Sequence, residues 1–167
     1  MPFDCAAPRF PSDDPARIMC ATPNEGVIVM ASEIRQVSYV YITTPNKAGE
    51  AARVLQALRD GGVNLLATIG FPSGRAKAQI DLVTDDVDAL KSVAKKQKWK
   101  LSKVKRAFLL EGEDVLGAAV EPLEKLATAK INIVAAVGVA AGEGRYGMIL
   151  WVEPRNYRRA TKVVGAS

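Results

Sequence analysis

The feature that most constrains this chain is that one stretch of it occurs twice. Shifting Ile42–Phe71 by 68 positions lays it on Leu110–Val139 without a gap, and the register continues to Leu82 over Leu150. Identical pairs are Gly49/Gly117, Ala51/Ala119, Leu55/Leu123, Leu58/Leu126, Asn64/Asn132, Ala67/Ala135, Gly70/Gly138, Gly74/Gly142 and Leu82/Leu150. Ordinary composition alone gives roughly three such pairs. Apolar character is kept between the identities, in Ile42/Leu110, Val63/Ile131, Leu65/Ile133, Leu66/Val134, Ile69/Val137 and Ile80/Met148. Shared spacing of glycines and apolar positions is what a duplicated supersecondary unit leaves behind.

In the first copy, Gln36–Thr44 alternates, with Val37, Tyr39 and Tyr41 on one face and Ser38, Val40 and Ile42 on the other, which predicts a strand. Asn46 is an N-cap residue type, and Ala51, Val54, Leu55 and Leu58 have the spacing of one helical face that Gly61-Gly62 would end. Val63–Phe71 and Ala76–Thr84 read as a hairpin turning at Pro72-Ser73-Gly74. Asp85–Lys98 reads as a second helix capped by Asp85 or Asp86, with Val87, Leu90, Val93 and Ala94 inward, and Trp99–Val104 as a closing strand. Strand, helix, strand, strand, helix, strand in two layers is an α+β, ferredoxin-like βαββαβ arrangement with both helices on one face.

The second copy repeats the order. Its first strand, Arg106–Leu110, follows directly, so Trp99–Leu110 reads as one long strand crossing both units. Asp114 takes the place of Asn46, and the helix face becomes Leu116, Ala119, Leu123 and Leu126. Pro122 interrupts that face, and an interior proline costs about 3 kcal/mol or forces a kink, so a break is expected between Ala118 and Pro122. Ile131–Val139 and Arg145–Val152 form the hairpin, and Pro154–Ala166 the last helix. Trp99 maps onto Ser167, so the second copy lacks its last strand and its first strand keeps an open edge, for a partner subunit or Val27–Met30 to cover. The expected organisation is a poorly ordered Pro-rich leader, residues 1–34, a first unit, 35–105, and a second, 106–167.

Composition narrows the function. Apolar residues make up 49% and charged residues 25% of the 167, the balance of a soluble globular protein, and no apolar run has the length of a membrane span. The leader, with Pro2, Pro8, Pro11, Pro15 and Pro23, lacks the apolar centre of a secretory signal, and the composition shift after it leaves Met30 as an alternative start. Cys5 and Cys20 have no metal-ligand spacing, and a cytoplasmic location is expected. There is no histidine, which removes the commonest general base and the usual partner of a Ser or Cys nucleophile. With no phosphate loop and no metal cluster either, no enzyme activity, catalytic residue, metal or cofactor is expected. Much of the +5 net charge lies in Lys91, Lys95, Lys96, Lys98, Lys100, Lys103, Lys105 and Arg106, a pattern more often a solvated face than a nucleic-acid surface. The RNP signature is missing, and only Tyr39 and Tyr41 are placed to stack bases, which argues against nucleic acid as a partner.

On these residues the chain resembles a tandem, stand-alone member of the ACT-domain family, small ferredoxin-like modules that sense amino acids in metabolic enzymes. The resemblance covers about Gln36–Ala166 and rests on Pro45-Asn46-Lys47-Ala48-Gly49-Glu50, on the Val54-Leu55-x-x-Leu58 helix and on Gly61-Gly62-Val63-Asn64-Leu65. Gly112-Glu113-Asp114-Val115-Leu116-Gly117 and Lys130-Ile131-Asn132-Ile133 match in the copy, where Pro122 and the missing last strand depart from the family pattern. No kinase, dehydrogenase or hydroxylase segment accompanies the units, so regulation in trans is expected. The resemblance implies that a free amino acid or similar small metabolite binds between units.

One side of such a pocket is a helix start, where unpaired N–H groups accept a carboxylate and glycine allows close approach: Asn46, Lys47, Ala48 and Gly49, and in the copy Asp114, Leu116 and Gly117. The other side is the segment leading into a second strand, Asn64 and Leu65 or Asn132 and Ile133, while Asp114 or Glu113 would hold an ammonium group. Each residue also has a purely structural role to fill: Asn46 and Asp114 as caps, the glycines as packing sites, Asn64 and Asn132 as turn closers. The two helix starts are expected to face each other across a shared seam, and the protein to form a homodimer through an exposed sheet edge. The alternatives are a basic nucleic-acid binder, or a dimerisation or docking module without a ligand.

Overall fold

The computed structural model describes residues 33–167; Val27–Met30, Met30 as a start, and the leader up to 32 lie outside them. The strands are β1 (Glu33–Pro45), β2 (Ala67–Pro72), β3 (Lys77–Thr84), β4 (Lys105–Glu113), β5 (Ile133–Gly142) and β6 (Arg145–Val152). The helices are α1 (Glu50–Asp60), α2 (Val87–Lys96), α3 (Val120–Thr128) and α4 (Tyr157–Val164), the last entered through a 3₁₀ turn at Pro154–Asn156. All six strands form one sheet in the order β2-β3-β1-β4-β6-β5, antiparallel at each pairing.

The register carries the repeat into three dimensions. Ala67 lies opposite Val83 and Ala135 opposite Trp151, both members of the pair displaced by the offset of 68. At the centre Ser38 pairs with Arg106, the same position of the two copies, so an approximate two-fold axis runs through that pair. Around it, Glu33–Tyr39 runs along Lys105–Glu111.

That pairing corrects the expected open edge on the first strand of the second copy. The leading residues of β1 cover it from within the chain. The converse also holds: past Lys105 the backbone continues along β1, where Leu101 bridges Ile42, Ser102 N–H donates to Tyr41 O at 2.9 Å and Tyr41 N–H donates to Ser102 Oγ at 3.0 Å. A side-chain oxygen thus stands in for a ladder carbonyl, and Trp99–Val104 is a single bridge rather than the predicted strand. The last residue joins the sheet as well, since Ser167 N–H donates to Ile34 O at 3.1 Å and Gln36 N–H to Ser167 O at 2.9 Å.

Strand alternation sorts the core. Val40, Ile42, Ile80 and Leu82 point to α1 and α2 and pack on Val54, Leu58, Leu90 and Val93. Phe108, Leu110, Leu150 and Val152 point to α3 and α4 and pack on Leu126, Tyr157, Ala160 and Val164. The residues between them, Val37, Tyr39, Val83, Ala107, Leu109, Ile149 and Trp151, are buried on the opposite face, which among the described residues carries no helix. There the sheet curls on itself, and residues of both outer strands, Ile69 and Phe71 of β2 with Val134 and Val137 of β5, line one concavity.

Helix boundaries follow local chemistry. Asp86 caps α2 by accepting Ala89 N–H at 2.8 Å. Pro122 does not break a helix: α3 starts at Val120, so the proline falls in the first turn, where its absent N–H removes no intrahelical bond. Asp114–Ala119 is consequently a turn, and Leu116, expected on the buried face, is fully exposed. At the end of α1, Gly62 takes the left-handed conformation (φ 72°) while Gly61 does not (φ −88°). Gly61 is required by proximity: a Cβ there would meet Val93 Cγ2 at 2.2 Å. Because Val93 is buried and β-branched, Gly61→Ala is expected to cost about 1–3 kcal/mol, read as a lower urea midpoint at unchanged slope.

Candidate functional site

The two loops singled out by the sequence share a backbone, bond for bond. Asn46 N–H donates to Ala76 O at 3.0 Å, and its counterpart Asp114 N–H to Gly144 O at 2.7 Å. Lys47 N–H bonds Pro45 O as Val115 N–H bonds Glu113 O, and Glu50 N–H reaches Lys47 O as Ala118 N–H reaches Val115 O. Gly49 (φ 88°) and Gly117 (φ 78°) are both left-handed, a conformation that a Cβ would strain. Neither glycine stands at the third helical position: Gly49 is the N-cap of α1, and Gly117 lies two residues before Ala119, the N-cap of α3.

Asn46 and Asp114 are therefore not the caps they were expected to be. Neither α1 nor α3 has a side-chain cap. With Glu50 N–H on Lys47 O, Val120 N–H on Gly117 O and Pro122 lacking an N–H, the donors left open are those of Ala51 and Ala52 in α1 and of Glu121 alone in α3. Asn46, Lys47, Ala48 and Gly49, like Asp114, Leu116 and Gly117, are exposed, with the Glu50 carboxylate held to Arg53 at 2.8 Å beside the first loop.

The helix starts do not face each other within the chain. One loop follows the end of β1 at Pro45; the other follows the end of β4, which runs back past Glu33. The 13 residues of β1 separate them, about 40 Å at 3.3 Å per residue. Asn64 and Leu65 lead into β2 at the other end of its half-sheet from Gly49. There the Asn64 carbonyl accepts Thr84 Oγ1 at 2.9 Å, and the Asn64 side chain is exposed. In the copy, Asn132 and Ile133 border a shallow pocket of about 400 Å³ with Leu123, Ala127 and Lys130. Lys130 is left-handed (φ 54°) where the first copy has Gly62.

A larger cavity, which sequence reading missed, opens on the concavity of the sheet, reaches the start of α4 and measures about 1080 Å³. Tyr39, Asp81 and Trp151 lie in it beside Phe71 and Ile69, and Lys103, Lys105, Arg106, Arg155 and Arg158 bring cations to it. The Tyr39 and Trp151 rings meet edge to face at 6.0 Å and 83°. Burial, with the Asp81 charge beside it, pushes the Tyr39 phenol pKa up; the buried Trp151 indole N–H forms no well-aligned hydrogen bond but lies close enough to the Tyr39 hydroxyl to offset part of that shift. Asp81 is 7% exposed and accepts Gln79 Nε2 at 2.7 Å. Burial holds its carboxyl above the ordinary value of 3.8, against the opposing Gln79 hydrogen bond and Lys105 charge.

A carboxyl with a raised pKa holds its proton more tightly in the folded chain than in the unfolded one. Stability from this group is therefore present at acid pH and lost as pH rises from the ordinary carboxylate value through the raised one. Asp81→Asn removes the loss, so its melting temperature relative to the parent should be higher at pH 7 than at pH 3. A difference independent of pH would refute the assignment.

Comparison with known proteins supplies a fold. No family profile matches the sequence, and no curated protein sequence does. Among solved structures, protein BT0572 from Bacteroides thetaiotaomicron superposes with a TM-score of 0.67 at 16% identity, over 81% of this chain and 89% of that one. The ligand-free regulatory subunit of aspartate kinase from Thermus thermophilus gives 0.54 at 19% identity, over 82% and 96%. Its equivalent from Thermus flavus gives 0.51 at 18% identity, again over 82% and 96%. The fold is ACT-like. In this ACT-like frame the helix starts without side-chain caps lie at the two ends of the sheet and the large cavity lies on the face opposite α1 and α2, so they are separate places. Among the described residues, no helix of the ACT-like fold is long and apolar enough to cross a membrane.

Proposed function

We propose that this chain is a small, non-catalytic regulatory protein of the cytoplasm, built of two ferredoxin-like ACT units (35–105 and 106–167), that binds a free amino acid or similar metabolite. The observation that carries this reading is the pair of loops with matching backbone hydrogen bonds, each placing a left-handed glycine before a helix without a side-chain cap. Open first-turn N–H groups and the positive end of a helix suit a carboxylate. Asn46, Lys47, Ala48 and Gly49 form one such cradle; Asp114, Leu116 and Gly117 form the other.

Because neither cradle meets Asn64 and Leu65 or Asn132 and Ile133 of its own chain, the facing wall comes from a second copy. The dimer uses an outer edge of the sheet. On β5, Val134, Val137 and Val139 are 62%, 46% and 65% exposed, and the strand carries neither charge nor proline to blunt pairing. Nucleic acid is a poorer fit, since Tyr39 is only 9% exposed and cannot stack on a base.

Calorimetric titration with each standard amino acid tests the proposal. At least one should bind saturably, and Gly49→Val or Gly117→Val should weaken it about tenfold or more by closing the approach to the N–H groups. No heat and no thermal shift with any of them would leave only the docking module.

A further inference from the structure

We propose that the cavity on the face opposite α1 and α2 is a second small-molecule site, separate from the helix starts, and that it takes a carboxylate carrying a flat apolar body. The argument uses the repeat as an internal control. Positions related by the 68-residue offset occupy equivalent places about the two-fold axis, so a residue that merely completes the fold can be compared with its counterpart. Five positions on this face carry Val37, Val83, Ala107, Leu109 and Ile149 in one copy or the other. Their counterparts at the 68-residue offset are Lys105, Trp151, Tyr39, Tyr41 and Asp81, of which Tyr39 and Trp151 pack into the same cluster.

The same backbone thus accepts plain hydrocarbon at all five places, and Ile149, at 3% exposure, fills the position where Asp81 buries a carboxylate at 7%. Folding does not call for a buried acid, a phenol pair and an indole there. Burying a carboxylate costs free energy, which hydrocarbon would avoid. The cavity these groups border has the composition of a binding site: a large concave volume, aromatic walls and a few convergent polar atoms.

The cavity also specifies its occupant. Phe71, 42% exposed, offers its ring to a flat apolar body, and the largely buried rings of Tyr39 and Trp151 border the same space. The Trp151 indole N–H is buried at the cavity wall, close to the Tyr39 hydroxyl but not in a well-aligned hydrogen bond to it, so it offers a donor to an acceptor oxygen. Five cations line the cavity against two carboxylates, Asp81 and Glu153, and Arg155 already holds Glu153 at 2.5 Å. Lys105 and Arg106 are kept in place by the rings of Tyr41 and Tyr157, at 4.8 and 5.4 Å. An anionic head group among these cations with its body against the rings satisfies both halves of the lining.

The test is titration of the full chain with 2-naphthoate, followed by calorimetry and by the two indole N–H signals in ¹⁵N spectra, assigned with Trp151→Phe. The Trp151 signal should move and saturate at one equivalent while that of Trp99 stays in place. Lys105→Ala and Arg158→Ala, both exposed residues whose loss leaves the core intact, should each weaken binding about tenfold, the worth of one charge-assisted hydrogen bond. Gly49→Val and Gly117→Val should leave it unchanged, which separates this site from the proposed amino-acid cradles. Decanoate should bind less tightly than 2-naphthoate; equal affinity would indicate a fatty chain instead and overturn the flat-body assignment. A shift that does not saturate, equal binding of uncharged 2-naphthalenemethanol, or full displacement by equimolar sulfate would overturn the site.

Discussion

Phe108→Ala is expected to destabilise the chain by about 3–5 kcal/mol, the range for removing a large aromatic side chain from a packed core. Phe108 is fully buried at the middle of β4 and stacks on Tyr157, with ring centroids 4.7 Å apart and planes 12° from parallel. The loss therefore combines a cavity with a ring pair worth about 0.5–1.5 kcal/mol beyond its area. Tyr157 in turn donates its hydroxyl to the Ala107 carbonyl at 3.2 Å, which ties α4 to the same strand. Tyr157→Phe keeps the stack and should cost only about 0.5–1.5 kcal/mol. Urea unfolding followed by far-ultraviolet dichroism and by tryptophan fluorescence should give coincident transitions for both variants, because the strand that carries Phe108 is central to the one sheet. A Phe108→Ala loss under about 1.5 kcal/mol would contradict this packing.

Separating the halves should have a larger effect still. A chain cut between Val104 and Lys105, at the start of β4, gives fragments 1–104 and 105–167. Each then lacks the residues that flank its first strand: Lys105–Glu111 is lost from beside β1, and Glu33–Tyr39 from beside β4. A central strand with one side stripped of its ladder leaves N–H and C=O groups unpaired and the apolar set around Val37, Ala107 and Leu109 open to water. Neither fragment should fold as a monomer, and mixing them in equal amounts should restore the dispersed amide spectrum of the whole chain. Since Ser38 and Arg106 are the same position of the repeat, the seam is compatible in register with pairing of a fragment to itself. A fragment that escapes unfolding is expected to do so as a dimer. A folded, monomeric fragment would show that the halves are independent units after all.

Local chemistry was legible without coordinates. Alternation in Val37–Ile42 assigned the two faces of β1 correctly, Asp86 was read as one of two caps for α2, and the glycines at 49 and 117 were recognised as equivalent. Errors arose where a residue type has several uses. Asn46 and Asp114 have the chemistry of caps, but their N–H groups are bound to Ala76 and Gly144 across the hairpin, which places them before the helix. Leu116 has helical spacing to Leu123, yet the helix starts only at Val120, where Pro122 falls within the first turn.

What the sequence by itself determined is the repeat: its period, its apolar faces and its left-handed glycines, because these depend on contacts within one half and recur when the half does. The tertiary structure alone decided how the halves join. Periodicity states which face of a strand is buried, but backbone pairing carries no side-chain label, so nothing in Glu33–Val37 announces that it closes the sheet of the other half. The cavity was hidden for the same reason. Tyr39, Asp81, Lys105, Trp151 and Arg158 come from four strands and a helix, and only the curl of the shared sheet brings them around one space.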